Sequence, residues 1–257
     1  MTVASKVIIT IISLVTVVAI FVGVFMHVVK GYSFGRNTKT VENNINFDGT
    51  LSEIILDIDM AEVSIKTGDE FSVHYSVPEA LEPNVELKNG TLEVKSPSTN
   101  NIHFNFGDMK LDNFIIITIP EDSELARISM DVDAGDIDLD DLDVSKLQLT
   151  VDAGNIQLDN ITSNRMEIEA DAGNIEIRKS DVENLNIEVD AGNVELYDST
   201  IGTFTAEVDA GNIESHDCTI DSGRCDTDLG NISLGGDIGD VSVHTSLGNA
   251  STERKSA

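Results

Sequence analysis

Tryptophan is absent from the 257 residues, and all aromatics together make up 5% of them. A broad globular core draws on large rings, so this composition fits a narrow core built from one side-chain layer per wall. The only cysteines are Cys218 and Cys225. Two cysteines do not make a disulfide framework; a single bridge and two free thiols both remain open. Basic residues are the deepest deficit, 16 against 46 acidic ones, for a net charge of −30. Nucleic-acid binding, which needs Lys and Arg to displace counterions, is excluded, and so is docking onto anionic lipid through a basic face. Solubility, cation binding and attraction to basic partners stay permitted.

Catalytic signatures are missing as well. There is no Gly-x-x-x-x-Gly-Lys loop, no His-Glu-x-x-His and no Cys-x-x-Cys. His74, His103, His216 and His244 are scattered and have no recurring nucleophile or carboxylate partner.

What is present is a phrase that returns: Asp133-Ala-Gly-Asp-Ile, Asp152-Ala-Gly-Asn-Ile, Asp171-Ala-Gly-Asn-Ile, Asp190-Ala-Gly-Asn-Val, Asp209-Ala-Gly-Asn-Ile and Asp228-Leu-Gly-Asn-Ile. The spacing is 19 residues each time, and a worn copy at Ser246-Leu-Gly-Asn-Ala follows after 18. A fixed short period is the mark of a solenoid. Between the phrases apolar residues alternate with polar ones, as in Leu147/Leu149/Val151 and Met166/Ile168/Ala170, the pattern of half-buried strands. The phase breaks at Gly-Asn, so the chain bends there; glycine supplies a positive φ cheaply and Asn tolerates one. The fold class is all-β: a single-strand parallel β-solenoid, β-helix or β-roll-like, with 19-residue rungs over 126–250. The structural repeat residues are Asp133 and Gly135, Asp152, Gly154 and Asn155, Asp171, Gly173 and Asn174, Asp190, Gly192 and Asn193, Asp209, Gly211 and Asn212, and Gly230 and Asn231.

Ahead of the solenoid, Val7–Val29 is an uncharged run of 23 residues, long enough at ~1.5 Å per residue to cross a ~30 Å hydrocarbon core. No small-x-small cleavage site follows it, so an uncleaved transmembrane helix within residues 1–30 is expected. His27 lies near its end, within reach of the interface. Flanking charge sets Lys6 against Lys30, Arg36 and Lys39, a count that alone would favour a cytoplasmic C-terminal part.

Residues 31–45 read as a polar tether, and 46–125 as a β region that caps the solenoid. Within it Ile54–Ile65 lays onto Val151–Leu158 as a degenerate rung, with Asp59 at the Asp position. Val85–Val94 is a hairpin about Asn89-Gly90. Asn100–Leu111 reads as a loop, Phe114–Pro120 as a buried strand, and 251–257 as a polar tail.

Stacked rungs would bring successive Asp residues to ~4.8 Å, where an effective dielectric of ~20 gives a repulsion of at most ~3.5 kcal/mol per pair. Three things could relieve it: solvent, a cation, or an Asx-type turn in which each carboxylate accepts from the following Gly or Asn amide, beside a ladder of Asn155, Asn174, Asn193, Asn212 and Asn231. A Ca²⁺ column on Asp152, Asp171, Asp190 and Asp209 is the metal alternative. The phrase, however, offers one Asp and one Asn per rung rather than a glycine-rich nonapeptide. With no metal at default, no cofactor is expected.

The Phe114-Ile-Ile-Ile-Thr-Ile-Pro120 strand, Leu125–Ile137 and the tandem Asp-Ala-Gly-Asn-Ile rungs together resemble the bacterial putative-adhesin family of β-strand-repeat proteins, some of them Lia-type envelope-stress relatives. The resemblance spans ~46–250. It implies a membrane-tethered β-solenoid facing the outside of the cell, N-terminus in and C-terminus out, and carries over no catalytic residues. The expected function is therefore a non-enzymatic adhesin-like or envelope-associated binding module with a surface glycan or protein ligand. A structural or regulatory envelope-stress component acting through another membrane protein is the alternative, and a carbohydrate-active β-helix enzyme the least favoured reading.

Overall fold

The computed structural model describes residues 39–97, 113–121 and 123–254. The expected membrane helix at Val7–Val29 and the loop at Asn100–Leu111 lie outside these residues. Among the described residues no helix is long and apolar enough to cross a membrane.

The described residues form seventeen strands of one continuous sheet that winds into a parallel solenoid of about seven turns. Each rung has a short wall and a long wall. Ile137–Asp140 at the start of β9 (Ile137–Ala153) lies on the short wall, and Leu142–Ala153 returns along the long one. β10 (Ile156–Ala172) repeats this in register, Ile156 over Ile137 and Met166 over Leu147. The next rungs are β11 (Ile175–Arg178) with β12 (Asp181–Ala191), then β13 (Val194–Tyr197) with β14 (Thr200–Ala210), then β15 (Ile213–Leu229) and β16 (Ile232–Leu247). The 18-residue last step shows as a register shift between Ser215 and Cys218, where β16 has one residue fewer.

The N-terminal region continues the same walls. β2 (Glu53–Met60) pairs in parallel with β8 (Glu124–Ala134), and β3 (Glu62–Gly68) with the start of β9. Ile58 faces Val132 and Met60 faces Ala134, so Asp59 falls in register with Asp133 and the degenerate rung is real. Beyond it the short wall adds β7 (Phe114–Pro120), then antiparallel β4 (Ser72–Pro78) and β1 (Thr40–Asn46). The long wall adds β6 (Thr91–Lys95) and β5 (Asn84–Lys88), joined through left-handed Asn89 and Gly90 as the hairpin signal required.

Residues 40–45 are therefore a strand rather than tether. Val41 and Ile45 pack against the core and β4 supplies the pairing, a tertiary gain that the Asn43-Asn44 pair hid in the sequence.

The core is the stack of inward columns, among them Ile137, Ile156, Ile175, Val194 and Ile213, each at 0% exposure. Cys225 sits in the column of Leu149, Ile168, Ile187 and Ala206. Cys218 shares the column of Ser180 and Ser199, and its thiol points at the His216 carbonyl (3.4 Å) as Ser199 Oγ does at Tyr197 (2.8 Å). Both cysteines are buried and free. Burial pushes the Cys225 thiol up to about 12 and raises that of Cys218.

Candidate binding surface

The two corners of a rung work differently. At the repeated phrase the glycines stack so closely that a Cβ on Gly173 would lie 1.7 Å from the Gly154 carbonyl oxygen, and one on Gly192 would lie 1.6 Å from that of Gly173. The glycine is thus demanded by the approach of the neighbouring rung, and positive φ is not what the column shares. The left-handed residues occupy the opposite corner instead: Asp141, Asn160, Lys179, Asp198 and Asp217, with φ between 47° and 55°.

Beside the glycines runs an amide ladder. Asn174 Nδ2 and its backbone N–H both donate to Asn155 Oδ1 (3.2 and 3.1 Å). Asn193, Asn212, Asn231 and Asn249 repeat the step. The ladder begins at Asp136, whose Oδ1 accepts from Asn155 Nδ2 and N–H (3.1 and 2.7 Å). These bonds remove the Asx-turn reading of the Asp column. The Asn N–H is taken by the preceding rung's side chain, and the Gly N–H by the following rung's Ala or Leu carbonyl, as in Gly173 to Ala191 (3.1 Å) and Gly211 to Leu229 (3.0 Å). With the amides spent across rungs, the aspartates face outward from the long wall.

There they form one of two adjacent carboxylate columns. The first holds Asp59, Asp133, Asp152, Asp171, Asp190, Asp209 and Asp228, and ends where Ser246 Oγ donates to Asp228 (3.1 Å). The second, two residues earlier in each rung, holds Asp57, Asp131, Glu169, Glu188, Glu207 and Asp226. It is interrupted by Thr150 and closed by His244. Sequence reading found the first column and missed the second, because Asp and Glu share it and no single letter repeats.

Crowding tells where water is least available. Asp133 is pushed up to about 6, first by burial and then by Asp152, Asp59, Asp131 and Asp57. Asp59 and Asp131 are raised too, again by burial and then by Asp57. Among the described residues no three His, Cys, Asp or Glu side chains converge as a metal site would require. The calcium candidates Asp152, Asp171, Asp190 and Asp209 stand one per rung along a line. Near the C-terminal end both columns border an open groove of about 500 Å³, lined by Glu207, Asp209, Asp226, Asp228, Arg224 and His244.

The short wall carries a different departure from the repeat. Arg178 lies over the Tyr197 ring (5.0 Å), and Tyr197 stacks on His216 (5.0 Å, 12°). Each leans on a glutamate two residues before it: Glu176 (2.7 Å), Glu195 (2.6 Å) and Glu214 (3.6 Å). Both faces of the Tyr197 ring are occupied, so this stripe satisfies itself.

Comparison with known proteins agrees with this architecture. The profile of the Toastrack DUF4097 family matches residues 51–253. The chain belongs to that family. No curated protein matches the sequence. Among solved structures, the Toastrack chain is similar to a putative adhesin from Bacteroides fragilis, with a TM-score of 0.60 and 16% identity over 84% of this chain and 98% of that one. It is also similar to a putative adhesin from Parabacteroides distasonis (0.52, 14%, 86% and 100%). A third neighbour, from the same species, is described as a putative lipid binding protein (0.50, 19%, 87% and 99%). At these identities the likeness establishes the Toastrack fold alone.

Proposed function

We propose that this Toastrack protein is a non-enzymatic, adhesin-like binding scaffold, held at the membrane by Val7–Val29 with its solenoid outside the cell. Its long wall is the face that meets a basic partner. The observation that carries this is the pair of carboxylate columns, which present equivalent charges rung after rung on a rigid sheet. Such an array holds a partner by many weak contacts, so that avidity rather than one pocket sets affinity. The same charge repels anionic headgroups, which speaks against the lipid-binding description of one neighbour applying here.

The test has two arms. Protease shaving of intact cells should remove the C-terminal part, and survival of that part until lysis would sink the outward placement. Purified full-length chain should be retained on immobilised polylysine, and successive Asp190→Asn, Glu188→Gln, Asp209→Asn and Glu207→Gln changes should lower retention stepwise. Retention that ignores all four changes would rule out the long wall as the binding face.

A further inference from the structure

The two walls do not end together. At the C-terminal end β17 (Ala250–Arg254) adds a strand to the short wall, pairing with Ile232–Gly236 of β16. On the long wall nothing among the described residues pairs with the outer edge of residues 240–247. Among the described residues the outer edge of the long wall is therefore unpaired, with a row of main-chain hydrogen-bonding groups and the margin of the core available to a further strand.

Departures from the repeat gather at that opening. The corner column that reads Ala134, Ala153, Ala172, Ala191 and Ala210 becomes Leu229 and Leu247 in the last two rungs. These are 38% and 53% exposed, the large hydrophobics that the described surface leaves out. Val241 and Val243 occupy inward columns yet are only partly buried, because no further strand among the described residues covers them. Opposite them β17 offers Ala250 and Thr252 in the inward register of Ile232 and Leu234. The N-terminal end differs: its outermost strands β1 and β5 carry Glu42, Asn43, Asn44, Glu86 and Lys88, edge residues that discourage pairing.

We infer that the outer edge of residues 240–247 is a strand-addition site for an extended segment of another protein, with apolar side chains alternating with basic ones. The pleat sets the apolar half of that pattern: every second residue of an added strand would cover Val241, Val243 and the Leu247 lip. Charge sets the basic half. The remaining residues would stand beside Asp240 and His244 and reach toward the carboxylate-lined groove of Asp209, Asp226 and Asp228. A second copy of this chain fits less well. In a two-fold pairing of these edges the protruding β17 strands would meet before the long walls did, and the acidic columns would face their own charge.

The site meets the face proposed above only at the groove of Asp209, Asp226 and Asp228, and the experiment keeps the two apart. The probe is a fluorescein-labelled peptide of about nine residues alternating valine and lysine, with valine and glutamate as control. It is titrated against the full-length chain in detergent micelles by fluorescence anisotropy. One tight site per chain should bind the lysine peptide, at least about tenfold tighter than the glutamate peptide and above the weaker binding along the acidic columns. Leu247→Lys, at an exposed position that leaves melting unchanged, should weaken it by about tenfold, and Val243→Lys should abolish it. Binding of several equivalent peptides per chain, lost with Asp190→Asn and Glu188→Gln but untouched by Leu247→Lys, would overturn the inference and leave the acidic face standing. A concentration-dependent doubling of mass that Leu247→Lys prevents would overturn it in favour of self-pairing.

Discussion

The two corners of a rung solve the same bending problem under opposite constraints. At one, five consecutive rungs from Gly154 to Gly230 use glycine, because each corner is touched by its predecessor. At the other, Asp141, Asn160, Asp198 and Asp217, types that tolerate a left-handed backbone, share it with Lys179, so the position favours a residue type without demanding one. A contact between rungs fixes residue type, whereas a local dihedral with free space around it fixes only conformation. The sharper the repetition in the letters, the more it reports on the neighbour rather than on the bend itself.

Substitutions can break that contrast in descending order of effect. Gly173→Val should destabilise the solenoid by more than about 4 kcal/mol, since backbone rather than a movable side chain blocks the new Cβ; Gln157→Ala should stay within about 0.5 kcal/mol. Thermal melting followed by circular dichroism decides it, and equal melting temperatures would discard the contact argument. Asn174→Ala should cost about 1–3 kcal/mol in denaturant unfolding, because the Asn193 N–H and Nδ2 lose their acceptor. A loss no larger than that of Gln157→Ala would show that water replaces the ladder freely.

The Asp133 carboxyl sharpens the picture on the same side of the rung. In the fold it holds its proton up to about pH 6, against an ordinary value of 3.8. The folded state thus binds more protons between those limits, and stability falls as pH rises through them. Asp133→Asn should flatten that slope and raise the melting temperature at neutral pH; a melting profile of the variant that still falls across this window would place the shift elsewhere. The smallest effect belongs to the permissive corner. Lys179→Gly should gain about 0.5 kcal/mol by relieving a left-handed lysine, even though it gives up the exposed Lys179–Asp159 pair. A loss above about 1 kcal/mol would mean the side chain matters there after all.

Much of this architecture was legible from the chain, and the reasons are uneven. The 19-residue spacing of Asp, Gly and Asn gave the rung, and the alternation at Leu147/Leu149/Val151 gave the buried face. Asp59 was placed correctly although Ala61 and Glu62 stand where later rungs have Gly and Asn, because the apolar columns on either side keep their phase. The left-handed corner was missed although four of its five residues are Asp or Asn, because Lys179 breaks the column and the phrase at the other corner repeats more sharply. The second carboxylate column was hidden by the exchange of Asp for Glu, and β1 by two asparagines that only tertiary pairing turns into strand. The unpaired edge at residues 240–247 could not be read at all: it depends on how the described strands of the two walls pair, which no local pattern encodes.

The asparagine ladder has a direction. Every step donates toward the N-terminus, and Asp136, with no amide to donate, starts the line. Because each internal junction uses the same atoms, the molecule behaves as a ruler graduated in single rungs of ~4.8 Å. Excising residues 156–174 rejoins Asn155 to Ile175 and leaves the phrase, the ladder and the glycine stack in register. The product should be a folded protein one graduation shorter, measurable as a reduced maximum dimension in small-angle scattering. Length in this fold is a quantity that duplication or loss of 19 residues can set without redesigning anything else.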